Sequence, residues 1–148
     1  MSVLDGDETV YIARNGTNRR MNTGFVLGAR VPAQVTAAGR LMLALRDPQE
    51  VEDWLRGKAL KAYTSHAIAS KERLSVEFAR IRANGWAISE QQMELNYRCI
   101  AVPLLDRHGD LVGGLNESMP MGNESSEDAV ARVLPVLQET APAMRNLI

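Results

Sequence analysis

Arg98-Cys-Ile-Ala-Val-Pro-Leu-Leu-Asp106, Arg107-His-Gly-Asp110 and Leu111-Val-Gly-Gly-Leu-Asn-Glu-Ser118 follow one another and read as two strands joined by a tight turn. Whether the turn is His108-Gly109 or the four residues from Arg107 to Asp110, strict antiparallel pairing sets Asp106 opposite Leu111. Counting outward, Pro103 then faces Gly114, Ala101 faces Asn116 and Cys99 faces Ser118. Side chains alternate between faces, so these six share one side, with Leu105 and Val112 near the turn. The other side carries Ile100, Val102, Leu104, Leu111 and Leu115 and is more apolar. A bulge or a three-residue turn shifts the register by one and breaks this reading. A face of Cys, Ala, Gly, Asn and Ser fills a dry core poorly and leaves room for a small polar ligand. Asn116 and Ser118 supply hydrogen-bonding groups for its carboxylate or hydroxyl oxygens. The same pattern also suits a close-packed helix contact or a solvent-facing strand.

Around the hairpin, Val3-Leu4 and Asp5-Gly6-Asp7 read as a strand end and turn, and Thr9-Val-Tyr-Ile-Ala13 as a strand. Asn15-Gly16 is a turn dipeptide, and Arg19 to Val26 is a plausible partner, giving a hairpin from Glu8 to Val26. Leu27 to Pro32 reads as a loop. Ala33 to Arg46 favours helix, and Gly39 within it implies close packing, because glycine there costs up to ~1 kcal/mol. Pro48 opens a second helix with Val51, Trp54 and Leu55 on one face. Ser70 caps a third, whose Leu74, Phe78 and Ile81 form the buried stripe, and Asn84-Gly85 ends it. Trp86-Ala-Ile-Ser89 is a strand. Ser125-Ser-Glu-Asp128 resembles a capping box for a last helix, which Pro135 and Pro142 are expected to kink or split. The order predicts an α+β domain with a largely antiparallel sheet and helices packed on it.

With 148 residues, 45% of them hydrophobic, the chain is long enough for one domain with a real core. Its 17 basic and 18 acidic residues, net charge −1, argue against this segment gripping nucleic acid or an anionic membrane by itself. No apolar run approaches the ~20 residues that span a bilayer, and the N-terminus lacks signal-peptide regions. The lone Cys99 excludes an internal disulfide and fits a reducing cytoplasm.

Other chemistry is poorly represented. Arg19-Arg20 suits an anion clamp or a solvated strand end. His66 and His108 lack the neighbours of a metal site. Cys99 has no evident adjacent base and reads as a small buried residue rather than a nucleophile. Nucleophile elbows and phosphate-cradling glycine loops are absent, and Glu90 and Glu94 are too loosely placed for an acid–base pair. No cofactor, metal or catalytic residue is expected.

Four blocks carry a family likeness: Arg30-Val-Pro-Ala-Gln-Val-Thr-Ala-Ala-Gly-Arg-Leu-Met-Leu-Ala44, Ala62-Tyr-Thr-Ser-His66, Ile81-Arg-Ala-Asn-Gly-Trp-Ala87 and Ile100-Ala-Val-Pro-Leu104. Together they resemble the effector-binding domain of IclR-type transcriptional regulators. Tyr11-Ile-Ala-Arg14, Asn18-Arg-Arg-Met21 and Gln92-Met-Glu-Leu95 resemble the branch regulating protocatechuate, hydroxybenzoate and β-ketoadipate catabolism. The resemblance implies a GAF-like fold, a curved antiparallel sheet with helices enclosing an effector pocket. It implies that Ala37 and Ala38 line the pocket from the first helix, and Ser89, Cys99, Asn116 and Ser118 from the sheet. Val31 and Tyr97 would add walls, with Thr23 or Arg20 at the rim. The chain departs from the family's pattern at Gln92 (usually acidic), Asn96 (usually glycine), Ala67 (usually threonine) and Glu90 (usually aspartate). Glu117 adds an acid between the two polar strand positions.

The family's N-terminal winged helix-turn-helix is not among these 148 residues. The chain is therefore expected to be a single effector-binding domain, a fragment or a stand-alone sensor. The expected partners are a small organic-acid effector, a second copy in a homodimer or tetramer, and DNA only through the missing domain, with no membrane and a cytoplasmic location. Closure of a loop such as Ser89 to Tyr97 is one way to couple ligand to oligomer. The rival expectations are an enzyme, for which the hairpin face offers no general base, and a GAF-like sensor or oligomerisation module without a metabolite.

Overall fold

The computed structural model describes residues 1–15 and 26–146. The Asn15-Gly16 turn, Arg19 and the two rim residues Arg20 and Thr23 fall wholly or partly outside them. Among the described residues six strands form one antiparallel sheet: β1 (Ser2–Asp5), β2 (Glu8–Tyr11), β3 (Arg30–Pro32), β4 (Ala87–Glu90), β5 (Tyr97–Leu105) and β6 (Leu111–Pro120). Their order across the sheet is β3-β2-β1-β6-β5-β4. The four helices are α1 (Ala37–Ala44), α2 (Pro48–Arg56), α3 (Lys71–Asn84) and α4 (Ser126–Ala143). The α+β expectation holds.

The two sheet faces have separate cores. Ala87 and Ala101 pack with α1, α2 and α3, whereas Ile100, Val102, Leu104 and Leu115 pack under α4. The stripe Leu74, Phe78 and Ile81 is buried as its spacing predicts, each side chain contributing about 1.5–3 kcal/mol of burial. The expected caps form. Ser70 Oγ accepts Arg73 N–H at 3.1 Å, and Gly85 closes α3 at φ 75°. Ser125 Oγ accepts Asp128 N–H at 3.1 Å and donates to the Asp128 carboxylate at 2.8 Å.

Three local readings are corrected. Residues 30–32 form an edge strand rather than a loop, since Pro32 pushes Val31 to extended backbone and an edge strand spares the missing N–H. The first helix begins at Ala37, not Ala33. A short 3-10 turn (Ala33–Val35) precedes it, and Thr36 in extended conformation caps it by accepting Gly39 N–H at 3.0 Å. Helix α4 is continuous through Pro135. Its buried seam Ala129, Val133, Leu137 and Ala141 recurs every fourth residue while both prolines are exposed, so the carbonyl that Pro135 leaves unbonded, on exposed Ala131, faces water.

The hairpin register is the most instructive difference. Pro103–Gly114, Ala101–Asn116 and Cys99–Ser118 pair as expected, but Asp106 does not face Leu111. The turn has three residues, with Asp106 N–H bonded to the Asp110 carbonyl at 3.0 Å and Gly109 at φ 88°. Leu105 therefore faces Leu111, and an irregularity after Leu104 leaves Val112 as the extra residue before Gly113 resumes the ladder. The two one-residue shifts cancel. Leu111 lies on the α1 side as a result, not on the apolar α4 side.

Candidate functional site

The small-residue face is divided between two uses. Its inner half is a tight helix contact. A Cβ on Gly114 would stand 3.0 Å from Ala38 Cβ, and one on Gly39 would stand 2.4 Å from both the Ala33 carbonyl oxygen and Thr9 Oγ1. Glycine and alanine there let α1 press onto β6, β1 and β2. Past Asn116 the helix ends, and the outer half of the face is left as a hollow of about 510 Å3 including its mouth.

Across β4, β5 and β6, the ladder pairs Ser89 with Cys99 and Cys99 with Ser118, so three small polar side chains stand in a row. All three line the hollow, as does Tyr97. Cys99 Sγ accepts from Ser118 Oγ at 3.4 Å and from Asn116 Nδ2 at 3.5 Å. Burial pushes the thiol pKa up, against the hydrogen bonds of Ser118, Asn116 and the Ala37 N–H. The raised pKa leaves Cys99 a neutral thiol at pH 7. The Ala37 N–H belongs to the first residue of α1, so the positive end of that helix meets the hollow beside Cys99.

The remaining expected residues lie nearby. Asn116 is partly buried and stands one ladder step inward from Ser118. Its Oδ1 is enclosed without a hydrogen-bond partner among the described residues. Ala38 is buried against Gly114, and Val31 packs with Tyr11 and Val35 one layer behind the hollow. Neither Asn116, Ala37, Ala38 nor Val31 is among the side chains bordering the open space.

Sequence reasoning missed several bordering residues. Tyr11, Val35 and Thr36 close one side. Burial raises the Tyr11 phenol pKa, so it stays an O–H group. Gln92, Met93 and Glu94 close another, from the loop between β4 and β5. That loop bends at both ends through left-handed residues, Gln91 at φ 53° and Asn96 at φ 62°. Asparagine tolerates this conformation better than most non-glycine residues, which suits Asn96 to the position. Thr64 Oγ1 donates to the Gln91 carbonyl, and Met121 N–H to the Asn96 carbonyl at 2.8 Å, fixing the loop's two ends.

Arg98 also borders the hollow, while its guanidinium is neutralised by Glu90 across the ladder, with Nε to Oε1 at 2.5 Å. Ser126 Oγ donates to both Glu90 oxygens, at 2.8 and 3.0 Å, and Arg98 also donates to the Glu124 and Ser125 carbonyls. The first turn of α4 is therefore tied to the strands that carry the hollow. Among the described residues no group of three or more His, Cys, Asp and Glu is placed to hold a metal ion, and no helix is long and apolar enough to cross a membrane.

A curved antiparallel sheet with helices on both faces, and a largely apolar hollow with a few polar groups at a helix amino end, defines a GAF-like domain with an open recess. The family described as Bacterial transcriptional regulator IclR C-terminal matches residues 1–146, and the chain belongs to it. The Pca regulon regulatory protein of Pseudomonas putida is 36% identical over 138 residues, 93% of this chain and 47% of that protein. The Pca operon regulatory protein of Acinetobacter baylyi is 33% identical over 150 residues, 99% of this chain and 54% of that protein. The chain thus spans about half the length of these curated relatives. Among solved structures, the inducer-binding domain of a PobR transcription factor double mutant from Acinetobacter, in complex with 3-hydroxybenzoic acid, superposes with a TM-score of 0.91 at 30% identity. The match covers 99% of this chain and 86% of that one.

Proposed function

We propose that this chain is the effector-sensing part of a transcriptional regulator and that the hollow takes a small carboxylate, an aromatic acid in the first instance. The observation that carries this reading is the meeting of the α1 amino end with the polar row Ser89, Cys99 and Ser118. Peptide N–H groups there suit a carboxylate, the row suits ring hydroxyls, and Tyr11, Tyr97 and Met93 suit the ring itself. The complex of the inducer-binding domain of PobR with 3-hydroxybenzoic acid supports the same ligand class.

The role is binding rather than turnover, in line with the regulatory function named for the relatives. We assign DNA recognition to a part of the protein outside these residues, coupled through homodimer or tetramer contacts in the cytoplasm. Ala37 contributes through its backbone N–H, Asn116 by orienting the Cys99 thiol, and Ala38 and Val31 by supporting the walls. Arg20 and Thr23 are assigned to the rim. For signalling, the acid must bind two arrangements of the oligomer with different affinity, and the 91–96 loop is the element we assign to that difference.

Titration calorimetry with 3-hydroxybenzoate, 4-hydroxybenzoate, protocatechuate and β-ketoadipate tests the reading. Heat of binding is expected for at least one, with the compound recovered unchanged by chromatography. Absence of heat for every acid overturns it, and conversion of a bound acid to product overturns the binding-only role.

A further inference from the structure

Arg40 and Arg98 are the two largest fully buried side chains among the described residues, Arg40 at 1% exposure. It lies in α1, and its Nε donates to the Gln34 carbonyl at 2.5 Å. Its Nη2 donates to Gln92 Oε1. No carboxylate pairs with it among the described residues. The opposite charge that acts on it belongs to Glu77, which Arg80 already grips with two bonds at 2.9 and 2.7 Å. Arg73 and Arg80 act in the opposing sense. Burial pulls the Arg40 pKa down to about 10, so the group stays charged at pH 7. A buried cation without an ionic partner is costly and radiates its field into whatever low-dielectric space adjoins it.

That space is the hollow, because Gln92 is one of its lining residues. Gln92 is held as an amide by all its bonds. Its Oε1 also accepts Ile68 N–H at 2.9 Å, while its Nε2 donates to the His66 carbonyl at 3.1 Å and the Glu90 carbonyl at 2.9 Å. A carboxylate in that setting turns an oxygen toward two carbonyl oxygens. The local backbone therefore favours a neutral group between Arg40 and the hollow. Among the described residues Glu94 is the one acid bordering the hollow, and it is exposed, where water screens it.

We propose that Arg40 is the charge that makes the hollow prefer an acid over its neutral analogue, and that Gln92 is the positioning residue that keeps this charge uncancelled. The proposal rests on the reading of the hollow as an effector site. Arg40 acts through the Gln92 amide and through the field, without touching the acid.

The test uses 3-hydroxybenzoate and protocatechuate, each against its carboxamide, with affinities measured by calorimetry on the full chain. The wild type is expected to prefer the acid, and Gln92→Glu to reduce the ratio of acid to carboxamide affinity about tenfold. Gln92→Met, which disturbs the same hydrogen bonds without adding charge, is expected to keep the preference, as is Arg40→Lys. Acid binding with the same preference in Gln92→Glu overturns the assignment of Arg40 alone. Equal loss of acid and carboxamide binding in Gln92→Glu and Gln92→Met also overturns it, since Gln92 is then only structural. No binding of either acid by the folded wild type overturns the effector-site reading for these acids and the charge assignment with it.

Discussion

Cys99 and Ser118 face one another across β5 and β6, with Oγ donating to Sγ over 3.4 Å on the floor of the hollow. A sulfur is a weak acceptor, so the Ser118 hydroxyl is cheaply redirected to a stronger one. Ser118 is exposed in the free chain, so Ser118→Ala is expected to weaken binding of the preferred aromatic acid by about 1–3 kcal/mol if the hydroxyl pairs with an oxygen that becomes buried in the complex. Calorimetry on the variant measures it, and unchanged affinity removes Ser118 from the site.

The Cys99 thiol is held above its ordinary pKa by burial. A raised pKa means less thiolate at a given pH. Alkylation by iodoacetamide is expected to be slower than for free cysteine at pH 8, to accelerate as pH rises, and to slow further with bound acid. Rapid alkylation at neutral pH contradicts the enclosed thiol.

Gly39→Ala pits helix propensity against packing. Alanine is favoured in a helix by up to about 1 kcal/mol. Here the new methyl would meet the Ala33 carbonyl oxygen at 2.4 Å, and that oxygen is backbone rather than a movable tip. A net loss of about 1–3 kcal/mol or more is expected from urea denaturation. A gain in stability means that α1 retreats from the sheet easily.

Arg98→Met removes the partner of Glu90 and of two carbonyls at the start of α4. Arg98 is fully enclosed while Glu90 keeps about a third of its surface. Loss of a buried pair costs up to about 3–5 kcal/mol, and the exposure of Glu90 sets the expectation at the lower end. A urea midpoint like that of the wild type rules out the clamp as a stabilising feature.

Acid sensitivity follows from two half-buried carboxylates. Backbone N–H groups of Asp110 and His108 hold Asp106 below the usual carboxylate range, and the Arg132 hydrogen bond does the same for Glu124. Unfolded values lie near about 3.9 and 4.3. Both native values are depressed, so these contributions are fully present above those figures and disappear as pH falls through the lower native ones. The Asp106→Asn, Glu124→Gln double variant is expected to show a shallower decline in Tm below pH 5. An unchanged slope shows that other groups govern it.

Much of this architecture is legible from side-chain chemistry. Ser70, Gly85 and Ser125 act locally and mark helix ends wherever they occur, and the alternation in β5 and β6 assigns faces without tertiary knowledge. The hollow's other walls are not legible in this way. Tyr11 reads as an ordinary strand residue until the order β2-β1-β6-β5 carries it toward Cys99. Arg40 carries no sign of its surroundings in the sequence, because only the fold brings Gln92 to it, 52 positions on. The split between helix contact and open space depends on where α1 stops, which is set by the Thr36 cap rather than by the ribbon's own residues.

The extra residue at Val112 has an evolutionary consequence. It works like an expansion joint in the ribbon, since the offset made by the three-residue tip is absorbed before the ladder reaches Gly113. A tip of another length leaves that offset uncancelled, so tip length and bulge can change only together if Cys99 is to stay opposite Ser118.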